Sequence, residues 1–96
     1  MVNLFARYQV KADKLNEVKM IVSNFVELVK NNEPKTLKYE AFQEKNNPNE
    51  FVHFISFKDE SAEEFHRNTE YVKKFIDALY PLCEKKPVFT HINKVE

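Results

Sequence analysis

The sequence predicts a single domain of mixed α+β type, and three observations support this expectation. The chain has 96 residues, a length that provides one modest hydrophobic core. Apolar residues make up 43% and charged residues 31%, which is the balance of a globular protein. Segments with apolar residues at every second position alternate with segments whose apolar residues recur at helical spacing, so strands and helices should follow one another.

The first two predicted elements are a strand and a long helix. Residues 3–11 alternate between two sets of side chains, which predicts a strand with at least one buried face. From Asp13, a candidate N-cap, to Lys30 the apolar residues form a broad helical stripe. This stripe predicts an amphipathic helix that ends before Pro34.

Two more strands are predicted in the middle of the chain. Residues 37–44 alternate and are followed by an Asn- and Pro-rich turn at residues 46–49. Residues 51–57 read Phe-Val-His-Phe-Ile-Ser-Phe and are apolar on both sides. A strand with one face in water would alternate, so this segment should be covered on both faces.

Two short helical segments and a strand complete the predicted order. Ser61 and Glu64 have the spacing of a capping box, and Thr69 is a candidate cap for a second segment that Pro81 ends or kinks. Residues 87–95 should form the last strand. The order βαββαβ is that of ferredoxin-like folds, in which a four-stranded antiparallel sheet carries its helices on one face.

The other face of such a sheet has no helix to cover it. If this face carries Phe5, Val52 and Phe54, or the residues of the opposite parity, it is too apolar for a stable monomer surface. We therefore expect a homodimer formed by sheet-to-sheet packing. A monomer with an apolar face is the alternative.

Composition argues against several functional classes. Fifteen Lys and Arg balance fifteen Asp and Glu, so neither nucleic acid nor an anionic membrane is an expected partner. The chain has no glycine, which argues against nucleotide-binding loops and the elbow of serine hydrolases. A single Cys83, no long apolar run and no signal-like segment lead us to expect a cytoplasmic protein.

His66 is the main candidate for a catalytic residue. In the predicted short helix it shares a stripe with Ala62 and Phe65, which should face the sheet, so its imidazole should point inward. Two interpretations remain open for it, a structural histidine at the edge of the core and a general base at the rim of a pocket. His53 and His91 lie in predicted strands, where each could face the pocket or the dimer seam.

The aromatic residues predict a pocket for a small ligand. The chain has nine Phe and four Tyr, and several should border the space between the sheet and the second helical region. Such walls suit a planar, aromatic or otherwise apolar ligand, although an ordinary aromatic core is the alternative. The candidate substrate-binding residues are Tyr8, His53, Phe57, Phe65, Tyr71 and Phe75.

The stretch from Phe57 to His66, Phe-Lys-Asp-Glu-Ser-Ala-Glu-Glu-Phe-His, and the following Asn68-Thr-Glu-Tyr71 resemble the antibiotic biosynthesis monooxygenase domain family. These segments and residues 10–15 are also similar to its branch of isomerases that process phosphorylated autoinducer-2. The resemblance extends over essentially the whole chain. It implies a dimer of ferredoxin-like protomers whose sheets pack into a barrel, with one pocket in each protomer and a helix histidine at His66.

Some members of this family oxidise quinol-like aromatics with molecular oxygen and without metal or flavin. Three departures limit the activities that the resemblance implies. Phe57 stands where a Trp is common, and Glu70-Tyr71 replaces a frequent Pro-His, so a two-histidine proton relay is not expected. Ala6 and Phe57 occupy the positions of the Asn and Trp of haem-degrading relatives, which disfavours haem cleavage.

The sequence therefore favours a cofactor-independent monooxygenase that oxidises a small aromatic or quinol-like substrate, with His66 as general base. An isomerase or epimerase of a small carbonyl compound needs the same base, and a non-catalytic dimeric ligand-binding module is a third possibility. The lack of a glycine-built anion site counts against a phosphorylated substrate. We expect no metal, because the single Glu63-x-x-His66 pair is too few ligands for a metal centre.

Overall fold

The computed structural model describes residues 1–96 and places four antiparallel strands in the order β2-β3-β1-β4. Short 3₁₀ turns at Ala12–Lys14 and Tyr80–Leu82 join some of the elements. The ferredoxin-like α+β prediction is confirmed. The strands and helices are β1 Val2–Val10, α1 Leu15–Asn32, β2 Thr36–Gln43, β3 Glu50–Phe57, α2 Glu60–Arg67, α3 Glu70–Leu79 and β4 Cys83–Ile92.

The two central strands differ in how their faces are covered. On β1 the alternate residues Leu4, Ala6, Tyr8 and Val10 are buried under the helices. On β3 the residues facing the helices are also buried, whereas Val52 and Phe54 are only half-buried. We expected both faces of β3 to be covered. Within one chain, only the face that packs against the helices is fully covered.

The helix ends correct two predicted caps. Asp13 lies in the first 3₁₀ turn and caps nothing, because α1 begins after Lys14 without a side-chain cap. The predicted capping box at Ser61 is also wrong, since the Asp59 carboxylate accepts the Ala62 N–H at 2.8 Å and starts α2 two residues earlier.

The predicted cap of α3 is confirmed. The Thr69 hydroxyl accepts the Val72 N–H at 3.2 Å. This cap separates α3 from α2, and α3 ends at Leu79, shortly before the proline that was expected to end it.

The last strand starts earlier than predicted, at Cys83, and contains Pro87. A proline is tolerated there because β4 is an edge strand that pairs with β1 alone. The register of this pair also shifts between Arg7 and Gln9, which leaves room for a residue without an amide hydrogen. No residue of this glycine-free chain has a positive φ.

The core packs between the sheet and the helices. The Phe25 ring on α1 stacks on the Phe75 ring of α3 with centroids 3.9 Å apart, and this pair ties the two helices together. No helix has the length and apolarity to cross a membrane. The packing is incomplete beneath α2 and α3, where a cavity remains.

Candidate active site

A cavity of about 380 Å³ lies between the sheet and helices α2 and α3. Its volume falls in the range of small-molecule sites. Phe89 and His91 on β4 are exposed and mark its open side. Most of its wall is apolar and includes Leu4, Phe25, Ile55, Phe57, Phe75 and Leu79.

His66 contributes an ionisable group to this wall from α2. Its ring is buried, and Nδ1 lies 2.9 Å from each carboxylate oxygen of Glu33. A carboxylate only accepts hydrogen bonds, so Nδ1 carries the hydrogen and the neutral ring leaves Nε2 as a base.

The Nε2 atom of His66 is the ring nitrogen that Glu33 does not contact. It has no hydrogen-bond partner in the chain, and Ser56 Oγ is the only fully buried side-chain polar atom without one. Since Nε2 is therefore not fully enclosed and His66 lines the cavity, this atom can accept a proton from a bound molecule.

Glu33 holds the outer side of the imidazole. This residue follows the last turn of α1 and is 3% exposed. Burial raises the pKa of its carboxyl, but hydrogen bonds from His66, Thr36 at 2.6 Å and Tyr71, with the attraction of His66, outweigh burial and lower the pKa. The carboxylate is thus ionised at neutral pH and stabilises a protonated His66.

His53 occupies a different position in the same cavity. It lies on β3 with Nε2 2.7 Å from the Tyr8 hydroxyl and Nδ1 2.8 Å from the Tyr39 hydroxyl. Burial lowers the pKa of His53 to about 4, so its imidazole is neutral near pH 7. Burial also raises the pKa of both tyrosines, which stay protonated.

The rim of the cavity carries charged groups. His91 Nε2 lies 2.8 Å from a Glu63 carboxylate oxygen. Arg67 also lines the cavity, and it forms no ion pair with any carboxylate of the chain. No three His, Cys, Asp or Glu side chains are grouped as a metal site requires.

The structure brings together most of the residues predicted for the site. Both histidines whose orientation the sequence left open, His53 and His91, lie on the cavity side of the sheet. Tyr71 does not line the cavity, but its hydroxyl donates to Glu33 behind His66. The predicted residues that line the cavity are His66, Tyr8, His53, Phe57 and Phe75.

The predicted placement of Phe65 is wrong. Its side chain is 58% exposed and borders a separate surface depression together with Ser61. The buried stripe of α2 consists of Ala62 and His66, which are four residues apart, and Phe65 lies one position off this stripe.

Sequence reasoning missed Glu33, Tyr39 and the rim residue Arg67 as parts of the site. Glu33 was part of a helix end, and no local pattern connects it to His66, which is 33 residues away. For Tyr39 the alternation of residues along β2 was a weak indication of burial. In the structure it lies on the buried face of β2 and is 6% exposed. A buried tyrosine needs a hydrogen-bond partner, and His53 provides it.

Comparisons with known proteins give a family and a fold. The family model for antibiotic biosynthesis monooxygenases matches residues 1–78. This range contains His66, His53 and their hydrogen-bond partners, and it ends within α3. No protein of curated function matches this sequence.

Several solved structures share the fold. A crystal structure of an antibiotic biosynthesis monooxygenase is 21% identical and covers 100% of both chains with a TM-score of 0.92. A conserved protein from Methanosarcina mazei Go1 is 22% identical over 97% of this chain and 91% of its own, with a TM-score of 0.89. Rv0793 from Mycobacterium tuberculosis is 15% identical over 99% of this chain and 95% of its own, also with a TM-score of 0.89.

Proposed function

The chain belongs to the antibiotic biosynthesis monooxygenase family, and on this premise we propose that it is a cofactor-independent monooxygenase of small aromatic or quinol-like substrates. His66 is the general base of the proposed reaction. One observation carries the proposal. His66 lines an aromatic cavity, its Nδ1 is bound to the Glu33 carboxylate, and its Nε2 has no partner in the chain.

The chemistry begins with a phenolic hydroxyl in the cavity. His66 Nε2 takes its proton, and Glu33 stabilises the resulting imidazolium. The electron-rich phenolate transfers one electron to molecular oxygen, and the two radicals combine at a ring carbon that bears hydrogen. The resulting peroxide takes back the proton from His66, and the hydroperoxide loses water and leaves a carbonyl. A phenol and O₂ thus give a quinone and H₂O, and His66 is neutral again.

The cavity walls support an aromatic substrate. The rings of Phe25, Phe57 and Phe75 line the same space as His66, and their flat apolar faces suit a planar molecule. An apolar wall also excludes water, which strengthens the interaction of His66 with Glu33 and protects reactive intermediates.

Oxygen consumption tests this function directly. The purified protein is mixed with a panel of hydroquinones and naphthols, while oxygen uptake is recorded with an electrode and quinone formation by absorbance. We expect uptake of one O₂ per quinone formed, at a rate above that of buffer and of heat-denatured protein. Uptake no faster than these blanks for every phenol would contradict the proposal.

An isomerase of a small carbonyl compound is the second candidate, and Arg67 favours it. This unpaired guanidinium on the cavity wall supplies a cation for an anionic substrate group such as a phosphate. The discriminating measurement is hydrogen exchange next to a carbonyl in deuterated buffer. Exchange without oxygen uptake supports the isomerase, whereas binding with neither reaction supports a ligand-binding module.

We also propose that a second copy covers the outer face of the sheet. Phe5 pairs with Phe54 across β1 and β3, and Val52 follows on the same face. Phe42 and Val88 extend the apolar surface onto both edge strands and are more than half exposed. Apolar side chains on all four strands, beside Arg7 and Glu40 on the same face, match a second identical face.

Sedimentation tests the dimer. The wild-type protein should sediment with twice the 11.5 kDa mass of one chain. Phe54→Lys should shift the population to monomer, whereas Phe65→Lys, a matched change on an exposed helix position, should leave the dimer intact. A wild-type protein that stays monomeric at high micromolar concentration would rule out this assembly.

A further inference from the structure

The hydrogen bonds of His53 restrict where its hydrogens can lie. Tyr8 and Tyr39 occupy the two ring nitrogens, and the neutral imidazole has one N–H and one unprotonated nitrogen. One tyrosine must therefore donate its hydroxyl hydrogen to the ring, and the other must accept the ring N–H. The accepting tyrosine keeps its own hydroxyl hydrogen.

That remaining hydrogen has no acceptor within the chain. Neither Tyr8 nor Tyr39 forms another side-chain hydrogen bond, and both line the cavity. The array, by which we mean Tyr8, His53 and Tyr39, thus presents one donor to whatever occupies the cavity. All three residues are at most 6% exposed, so the donor is held in place and shielded from water.

We propose that this array donates one hydrogen bond to the substrate oxygen that becomes negative when His66 removes its proton. The inference rests on the proposed function, because it takes His66 as the base. The tyrosine that donates is a catalytic residue, whereas His53 and the other tyrosine are positioning residues that fix the direction of its hydroxyl.

The position of Tyr39 relative to His53 and His66 supports this assignment. The Tyr39 ring is close to both histidines, with its centroid 5.5 Å from the His53 ring and 5.9 Å from the His66 ring. With Tyr39 as the donor, a single small ligand in the cavity can contact the donor and the base together. Burial keeps both tyrosines protonated, so the array stabilises negative charge on the oxygen without giving up a proton.

Ligand binding tests the array without any need for turnover. The probes are 4-nitrophenolate, at a pH above the pKa of free 4-nitrophenol, and nitrobenzene, which lacks the oxyanion. Calorimetry gives both dissociation constants for the wild-type protein and for Tyr8→Phe, Tyr39→Phe and the double variant. His66 stays unchanged, so the result does not depend on whether oxygen is consumed.

We expect the wild-type protein to prefer 4-nitrophenolate to nitrobenzene. The variant of the donating tyrosine should lose about tenfold or more of its affinity for 4-nitrophenolate, and the other variant a smaller factor. The double variant should lose less than the product of the two, because both act through His53. Affinity for nitrobenzene should stay within about twofold, since this probe accepts no strong hydrogen bond.

Three outcomes would overturn the inference. These are a wild-type protein without preference for 4-nitrophenolate, tyrosine variants that keep their affinity for it, and variants that weaken both probes equally, as a structural defect would. If a tyrosine variant does not fold, the two affinities are measured instead for the wild-type protein and for His53→Gln. This variant is suitable because Gln also offers one donor and one acceptor group to the two tyrosines. Oxygen uptake without a loss in these variants would leave the proposed function standing and remove the array alone.

Discussion

Two histidines line one cavity, and their hydrogen-bond partners differ in charge. His53 is 2% exposed and His66 is 8% exposed, so burial alone does not separate them. The partners of His53 are hydroxyls, which carry no negative charge to offset that of an imidazolium, whereas His66 is bound to a carboxylate. Two histidines of similar burial thus differ in the charge of the group that they contact.

Removal of the proposed base, His66, should have the largest effect. His66→Ala should lower kcat/KM for oxygen uptake by about 10²–10⁴-fold, because the phenol then has no positioned acceptor for its proton. Lys45→Ala, in the exposed turn before β3, is the matched control and should keep the wild-type rate. Wild-type activity in a folded His66→Ala protein would end the distinction between the two histidines.

The neutral state of His53 should appear in the pH dependence of stability. Its pKa falls from 6.5 to about 4 on folding, so its contribution is fully present above pH 6.5 and is lost as the pH falls towards 4. This loss amounts to about 3 kcal/mol of unfolding free energy.

Urea unfolding of the wild-type protein and His53→Gln across this range measures the loss. The wild-type curve should fall more steeply with decreasing pH than that of the variant, since Gln does not titrate. Parallel curves would mean that His53 can be protonated in the folded protein.

The stabilising contribution of the Glu33 carboxylate should be lost at a lower pH than that of His53. The pKa of Glu33 is lowered from 4.5, so its stabilising contribution is fully present above that pH and is lost as the pH falls through the folded pKa. At pH 7, Glu33→Gln should cost about 2 kcal/mol of unfolding free energy, because three donors lose a charged acceptor.

The cost of Glu33→Gln should shrink below pH 4.5, and thermal unfolding at several pH values checks this. Glu27→Gln, an exposed position on α1, should have no comparable effect. A cost that is independent of pH would show that the charge of Glu33 does not stabilise the fold.

Among these substitutions, Tyr71→Phe should have the smallest effect. It removes one of the three donors to Glu33 and leaves His66 and Thr36 in place, so about 1 kcal/mol of unfolding free energy is expected to be lost. Oxygen uptake should fall by a few-fold at most. A loss of activity as large as that of His66→Ala would make Tyr71 part of the chemistry.

The sequence predicts the fold well because the fold depends on local periodicity. Alternation and helical stripes are properties of neighbouring residues, and they gave all four strands and both helical regions. The inward orientation of His66 also follows from its spacing to Ala62. The error at Phe65 has the same origin, since on a helix of eight residues a one-position error moves a side chain from the core to the surface.

The partners of the two histidines could not be predicted in this way. His66 and Glu33 are 33 residues apart, and Tyr8 and His53 are 45 residues apart. Such contacts depend on the strand order and on how α1 and α2 meet, and no local pattern encodes them. The sequence therefore identified the histidines of the site but not Glu33 and Tyr39, the partners that set their environment.

Whether His66 can act as the general base depends on which ring nitrogen carries its hydrogen, and this position can be measured. Nitrogen NMR of protein labelled with ¹⁵N in its histidines distinguishes the two nitrogens of each neutral ring. We expect His66 to carry its hydrogen on Nδ1, and we expect the Nε2 resonance to shift when 4-nitrophenol is added. A hydrogen on Nε2 in the neutral ring, or an Nε2 resonance that the phenol leaves unchanged, would contradict the assignment of His66 as the base.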